Sequence, residues 1–225
     1  PRLTVAHGVM LSEDEIALLA ERVVTVALNT SSNLRLRSGI APVDLYQKRG
    51  LAFAIGLDGM APDDDDDILR EARLAYQLHR GFGGRDGLGA ADLFRALWRN
   101  GRPTLGLGPA DTLLSEGAPA DILVLDANAL AADILPGAVD PATILTHRMM
   151  RDAVRDLYVG GRQVVSDGVV KSVDVPTLET AFFAEARAQW MKAPPDIGMV
   201  AARREATVNH YRDGAHRTAS LVRAN

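Results

Sequence analysis

Two side chains in this chain stand where chemistry can be done. His7 directly follows the apolar run Leu3-Thr4-Val5-Ala6, and Asp58 comes just after Leu51-Ala52-Phe53-Ala54-Ile55. Both runs read as strands. In a barrel of parallel βα units the loops at the C-terminal strand ends build the site, so an imidazole and a carboxylate placed this way face the same end. These are the ligand types that suit Zn²⁺ or Fe²⁺ when thiolates are absent. The chain has no cysteine, so any metal must sit on His, Asp or Glu. On spacing alone a plainer role stays open, because His and Asp at strand ends also serve as caps and turn formers.

The elements that must position these residues follow from pattern. Ser12 opens a helix, with Glu15 three residues on completing a capping box. Ile16, Leu19, Ala20 and Val23 then recur at helical spacing. The β-branched run Val23 to Leu28 reads as a strand covered on both faces. A polar loop is expected after it, then a short helix from about Pro42 to Gly50. After the third strand, a helix is expected from about Asp67 to His79 with Ile68, Ala72, Ala75 and Tyr76 on one face, and another from about Ala90 to Arg99. Strands alternating with amphipathic helices argue for three parallel βα units.

The pattern changes after Pro103. Asp121 to Asp126 reads as an isolated strand, and Val154–Val159 pairs with Gln163–Val165 around Gly160-Gly161, a favoured hairpin turn. Asp167-Gly168 offers a second turn before Val169-Val170. An amphipathic helix is expected from Pro176 to Met191, with Leu178, Phe182, Ala186 and Gln189 on one side. The last thirty residues show no clear period. The five-Asp run Asp63 to Asp67 lacks calcium-loop spacing and fits instead the positive end of the helix it precedes.

Bulk composition excludes several classes. Net charge is −4 over 225 residues, so there is no basic footprint for nucleic acid. No run approaches the roughly 18–20 apolar residues of a membrane span. No G-x-G-x-x-G follows a strand, and no phosphate loop appears. A cytoplasmic enzyme is the expectation.

The segments VAHGVMLSEDEIALLAE, NTSSNLRLRSGIAPV and GLAFAIGLDGMAPDDDDDILREARLA, in that order, resemble the last three strands of amidohydrolase-superfamily barrels. The likeness is to deaminases of adenosine-type thioethers, guanine and other heterocycles, and to triazine chlorohydrolases. There the sixth strand ends in AHCV or AHGV, the seventh in SNLKLGSGIAPV and the eighth in GTDG. PADILVLDAN and VRDLYVGGRQVVSDGVV resemble the same family's C-terminal β segment. The resemblance covers roughly residues 1–172.

It implies an α/β fold: strands six to eight of a (β/α)₈ (TIM) barrel over 1–104, part of a small β-sandwich-like domain over 105–172, and a C-terminal helix and tail over 173–225. It also implies hydrolytic deamination of a purine-, pyrimidine- or triazine-like heterocycle, with chlorohydrolase or cyclic amide hydrolase chemistry as the alternative. The cofactor would be one or two zinc or iron ions. Asp58 would touch metal and take the proton from the attacking water; His7 would assist at the water and the reacting carbon, and ligate metal in two-ion members. Asn33 falls in the pocket-facing loop as a substrate contact or a loop-ordering residue.

The chain departs from the pattern. Leu57 replaces the usual Thr, and Arg35 and Arg37 are added charges that suit either an anionic substrate or a solvated surface. There is no His-x-His pair, and His79, His147, His210 and His216 follow no barrel strand, so all four read as structural or exposed. One His and one Asp fall short of the three protein ligands of a catalytic zinc. Three βα units cannot close a barrel, and an open apolar edge invites association. The expectation is that the remaining half lies in a separate polypeptide or in a segment before Pro1, and that the assembly is a homo-oligomer. The rival from another class is a non-catalytic remnant acting as an assembly module. Purified alone, the chain is therefore expected to self-associate or to retain a partner. A monodisperse monomer in light scattering would refute this.

Overall fold

The computed structural model describes residues 3–59, 65–81, 87–107, 114–194 and 196–213. The chain forms two compact units, Pro1–Lys171 and Ser172–Asn225.

The first unit opens with three strands, β1 (Thr4–Ala6), β2 (Thr25–Leu28) and β3 (Ala52–Ile55), in one parallel sheet of that order. Val5 pairs with Val26 and Val26 with Phe53, so all three strands run in step and end at the same level. β2, between two neighbours, buries Val26 and Leu28 fully, whereas β1 has a single partner and exposes Thr4 and Ala6. The apolar run Leu3 to Ala6 suggests a buried strand; among the described residues β1 is instead a half-exposed edge strand.

Helices α1 (Glu13–Glu21) and α3 (Val43–Arg49) connect the strands, with α2 (Thr30–Arg35) between β2 and α3. The capping box at Ser12 and Glu15 is present as the spacing indicates. Gly50 ends α3 in the left-handed conformation, the usual helix stop. Val23, however, does not begin a strand. The Val24 amide reaches back to Leu19 and that of Val23 to Ala20, which places Val23 in the left-handed stop position of α1 at φ 54° and 88% exposed. The apolar run hid a helix terminus.

α2 corrects a second expectation, because its polar sequence predicts a loop. Ser and Asn favour loops when only local partners exist. Here the fold supplies partners from afar. The Ser31 amide, orphaned in the first turn, donates to Glu71 Oε1 at 3.0 Å. Glu71 lies on α4 (Ile68–His79) and is itself buried.

α4 is capped by Asp67, whose Oδ1 accepts from the Leu69 and Arg70 amides. Asp67 Oδ2 also accepts from the Arg151 amide at 2.9 Å, tying α4 to the later β region. The acidic run is expected to occupy the first turn of this helix; Asp67 instead precedes it as the cap, and Asp63 and Asp64 lie outside the described residues. Ala72, Ala75 and Tyr76 are buried, but Ile68 is partly exposed and Leu69 takes its place. α5 (Ala90–Phe94) turns π-helical over Arg95–Arg99 instead of continuing to Arg99, and α6 (Gly101–Thr104) follows.

Beyond α6 come β4 (Ile122–Leu125), α7 (Ala127–Ala131), α8 (Pro141–Arg148), β5 (Val154–Val159), β6 (Arg162–Ser166) and β7 (Val169–Val170). The hairpin and the second turn form where Gly160-Gly161 and Asp167-Gly168 place them. β4 is not isolated: it pairs antiparallel with β5, making one four-stranded sheet in the order β4-β5-β6-β7. Leu123, Leu125, Leu145 and Val154 pack against the same core as Ile16, Val26, Tyr46, Phe53 and Leu93.

The second unit holds α9 (Val175–Lys192) and α10 (Ile197–Arg212). The spacing along α9 predicts a buried stripe, yet none of its residues is buried, and Leu178 and Phe182 are exposed. Its formation rests on local signals, with Asp174 accepting from the Thr177 amide and Pro176 in the first turn. α10 occupies the tail read as aperiodic. An exposed helix needs no apolar period; Asp196 caps it through the Met199 amide, and its Ala, Arg and Glu residues are strong helix formers.

Because a β-branched residue in the left-handed region is strained by roughly 1–2 kcal/mol, Val23→Gly is expected to raise stability by about 1 kcal/mol in urea unfolding. An unchanged or lower midpoint would contradict the helix-stop assignment.

Candidate active site

His7 and Asp58 leave β1 and β3 on either side of β2, and the common strand level brings them together. The His7 amide continues the ladder to Ala27 O at 2.9 Å, and the Gly56 amide does so to Leu28 O at 2.8 Å. Both site residues then turn sharply, His7 at φ 66° and Asp58 at φ 68°. Left-handed backbone at a non-glycine residue is held only where surrounding contacts fix it. At His7 the fixing contact is visible: buried Tyr46 donates from its hydroxyl to Gly8 O at 2.6 Å. Burial pushes the Tyr46 phenol up to about 12, so it stays a donor throughout the physiological range.

The side chains converge. His7 Nε2 lies 3.8 Å from Asp58 Oδ2, with the two side chains 39% and 31% exposed. That distance is too long for a direct hydrogen bond. His7 Nδ1 faces Asn33 Oδ1 at 2.8 Å, and Ser32 Oγ donates to Asp58 Oδ2 at 2.6 Å. Asn29 Nδ2 stands 3.4 Å from His7 Nδ1. Asn29, Ser32 and Asn33 are all buried, and all belong to α2 or its first flanking position.

The three residues expected from sequence are therefore brought together, but Asn33 is beneath His7 rather than open at the mouth. Arg35 and Arg37 are exposed on the chain that follows. Ser32 and Asn29 were not anticipated. The signal was the polar run Asn29 to Asn33 after an apolar strand, but nothing local shows that these polar groups are buried. His147 is held by Thr143 O on α8, and His79 is half-buried at the end of α4, where burial lowers its pKa against the opposing charge of Asp44. His210 lies on α10 and His216 outside the described residues.

As donors, one imidazole nitrogen and one carboxylate suit a borderline cation such as zinc. Among the described residues no group of three or more His, Asp or Glu is placed to hold a metal ion. The pair thus fits as part of a ligand set, with further donors required from outside these residues. Among the described residues no helix is long and apolar enough to cross a membrane.

Fold and site define a class: an α/β protein with an imidazole and a carboxylate at the C-terminal ends of parallel strands. Residues 1–164 match the model of the amidohydrolase family, and the chain belongs to that family. It is 36% identical over 171 residues to a 5-methylthioadenosine/S-adenosylhomocysteine deaminase of Natronomonas pharaonis, covering 76% of this chain and 38% of that protein. The crystal structure of an adenosine deaminase from Xanthomonas campestris with bound zinc superposes with a TM-score of 0.70 at 31% identity, covering 84% of this chain and 42% of that one. The atrazine chlorohydrolase of Arthrobacter aurescens complexed with zinc gives 0.67 at 26%, covering 80% and 40%. The chain spans about two fifths of the length of these relatives.

Gly56 precedes Asp58 by two residues, and a Cβ there would collide with Asn29 Oδ1. Gly56→Ala is expected to destabilise the chain by about 1–3 kcal/mol in urea unfolding and to shift the His7 ring resonances. Wild-type behaviour in both would show that the Asn29 contact does not shape this site.

Proposed function

We propose that this chain supplies the C-terminal part of a metal-dependent amidohydrolase barrel, its strands β1 to β3 taking the places of strands six to eight, and that the assembly deaminates a nitrogen heterocycle by hydrolysis. The observation that carries the reading is the convergence of His7 Nε2 and Asp58 Oδ2 at 3.8 Å on a shared strand-end face. The likeness to thioether-adenosine deaminases supports an adenosine-type substrate. The likeness to the atrazine chlorohydrolase supports, as a second reading, the same attack with chloride leaving.

In this reading His7 and Asp58 would hold a zinc ion together with donors from the remaining part of the barrel, whether a separate chain or a further segment. When bound, such an ion lowers the pKa of water toward 7. Asp58 accepts the proton of the attacking water. His7, its Nε2 turned to that ion, would stand beside the attacking water. The water oxygen bonds to the reacting ring carbon, the C–N bond breaks, and the amino group leaves as ammonia with the proton that Asp58 relayed. The outer edges of β1 and β3 are the two along which the rest of the barrel would pair. A cytoplasmic homo-oligomer fits the family reading.

The test is ammonia release from 5′-methylthioadenosine by the assembly containing this chain. Asp58→Asn is expected to lower kcat by about 10²–10⁴-fold, the range of a lost general base, with far-UV dichroism unchanged. Turnover within tenfold of wild type would rule out the assigned role.

A further inference from the structure

The ring of His7 can carry its proton on either nitrogen, and the two tautomers make different sites. With the proton on Nε2, the ring would aim an N–H at the Asp58 carboxylate. With the proton on Nδ1, Nε2 and Asp58 Oδ2 become two lone-pair donors facing one another across 3.8 Å. Only the second arrangement leaves a place for an electrophile, whether cation or water proton.

Two neighbours ask opposite things of Nδ1. Asn33 Oδ1 at 2.8 Å needs a proton there; Asn29 Nδ2 at 3.4 Å needs a lone pair. The shorter contact lies at the centre of the hydrogen-bond range and the longer one at its limit, so the first prevails. Asn33 is buried and sits on the same turn as Ser32, whose hydroxyl donates to Asp58 Oδ2 at 2.6 Å. That turn is in its own right tied down from outside, by Glu71 Oε1 on the Ser31 amide.

We propose that Asn33 is a positioning residue that selects the Nδ1–H tautomer of His7, while its neighbour Ser32 fixes the Asp58 carboxylate, so that one turn of α2 makes the pair face each other as acceptors. Asn33 in this role need not touch substrate, because its carbonyl oxygen is spent on the ring. The proposal rests on His7 and Asp58 being the site. It is tested without turnover, so that its failure and that of the deaminase reading can be told apart.

The experiment is long-range ¹H–¹⁵N correlation on the full 225-residue chain labelled at histidine nitrogens, at alkaline pH. The wild-type His7 is expected to show protonated Nδ1 and unprotonated Nε2. In Asn33→Ala the Nδ1–H form should fall below half of the population. In Asn33→Asp, which keeps an acceptor oxygen, it should persist. The His79 and His147 signals report that the fold is retained. An Nε2–H tautomer in the wild type, retention of Nδ1–H in a folded N33A, or its loss in N33D each overturns the proposal. Should N33A not fold, the wild-type and N33D spectra decide it: Nδ1–H in both sustains it, and anything else sinks it.

Discussion

Two short side chains on one turn of helix, Ser32 and Asn33, hold the carboxylate of Asp58 and the imidazole of His7 from below. Neither site residue could keep its place alone. Each sits in left-handed backbone just past a strand end, a conformation costing roughly 1–3 kcal/mol that persists only where other contacts over-determine it. The helix that supplies those contacts is six residues long, too short to be stable on its own. Its existence depends on the strand before it, the burial of its polar face and the carboxylate that Glu71 offers its first turn.

This arrangement puts polar groups into the protein interior. Asn29, Ser32, Asn33 and Glu71 are buried beside Val26, Leu28 and Tyr46. A buried polar group is tolerable when it is paired and costly when it is not. Most are paired here, and the pairings run toward the site: Asn33 to His7, Ser32 to Asp58, Tyr46 to the carbonyl after His7. Glu71 Oε2 and Ser31 Oγ are exceptions, without partners among the described residues. A hydrogen-bonded floor of this kind gives the two site residues fixed directions, which a purely apolar floor would not.

The antiparallel sheet belongs to the same unit for a related reason. Asp67 divides its carboxylate, one oxygen capping α4 and the other accepting the Arg151 amide, while Arg151 also reaches Asp65 O at 2.7 Å. α4 therefore serves three purposes at once: it packs on the parallel sheet, holds α2 through Glu71, and anchors the later strands. Membership of the amidohydrolase family rests on this whole frame over residues 1–164 and not on the site pair alone.

Local sequence determined whatever depends on near neighbours. The capping box at Ser12, the stop at Gly50, the hairpin at Gly160-Gly161 and the β-branched centre of β2 each follow from residues within a few positions. The placement of His7 and Asp58 at strand ends was legible for the same reason, and parallel pairing then put them on one face. Tertiary structure alone decided what depends on distant partners. Asn29 to Arg35 is polar enough to read as a loop, and becomes helical because Glu71, forty positions after Ser31, satisfies its first turn. Val23 looks like strand until the amides of Val23 and Val24 are seen to close α1. Burial of Asn33 and Ser32 leaves no periodic mark, since a polar side chain carries the same letter whether water or an imidazole is its partner.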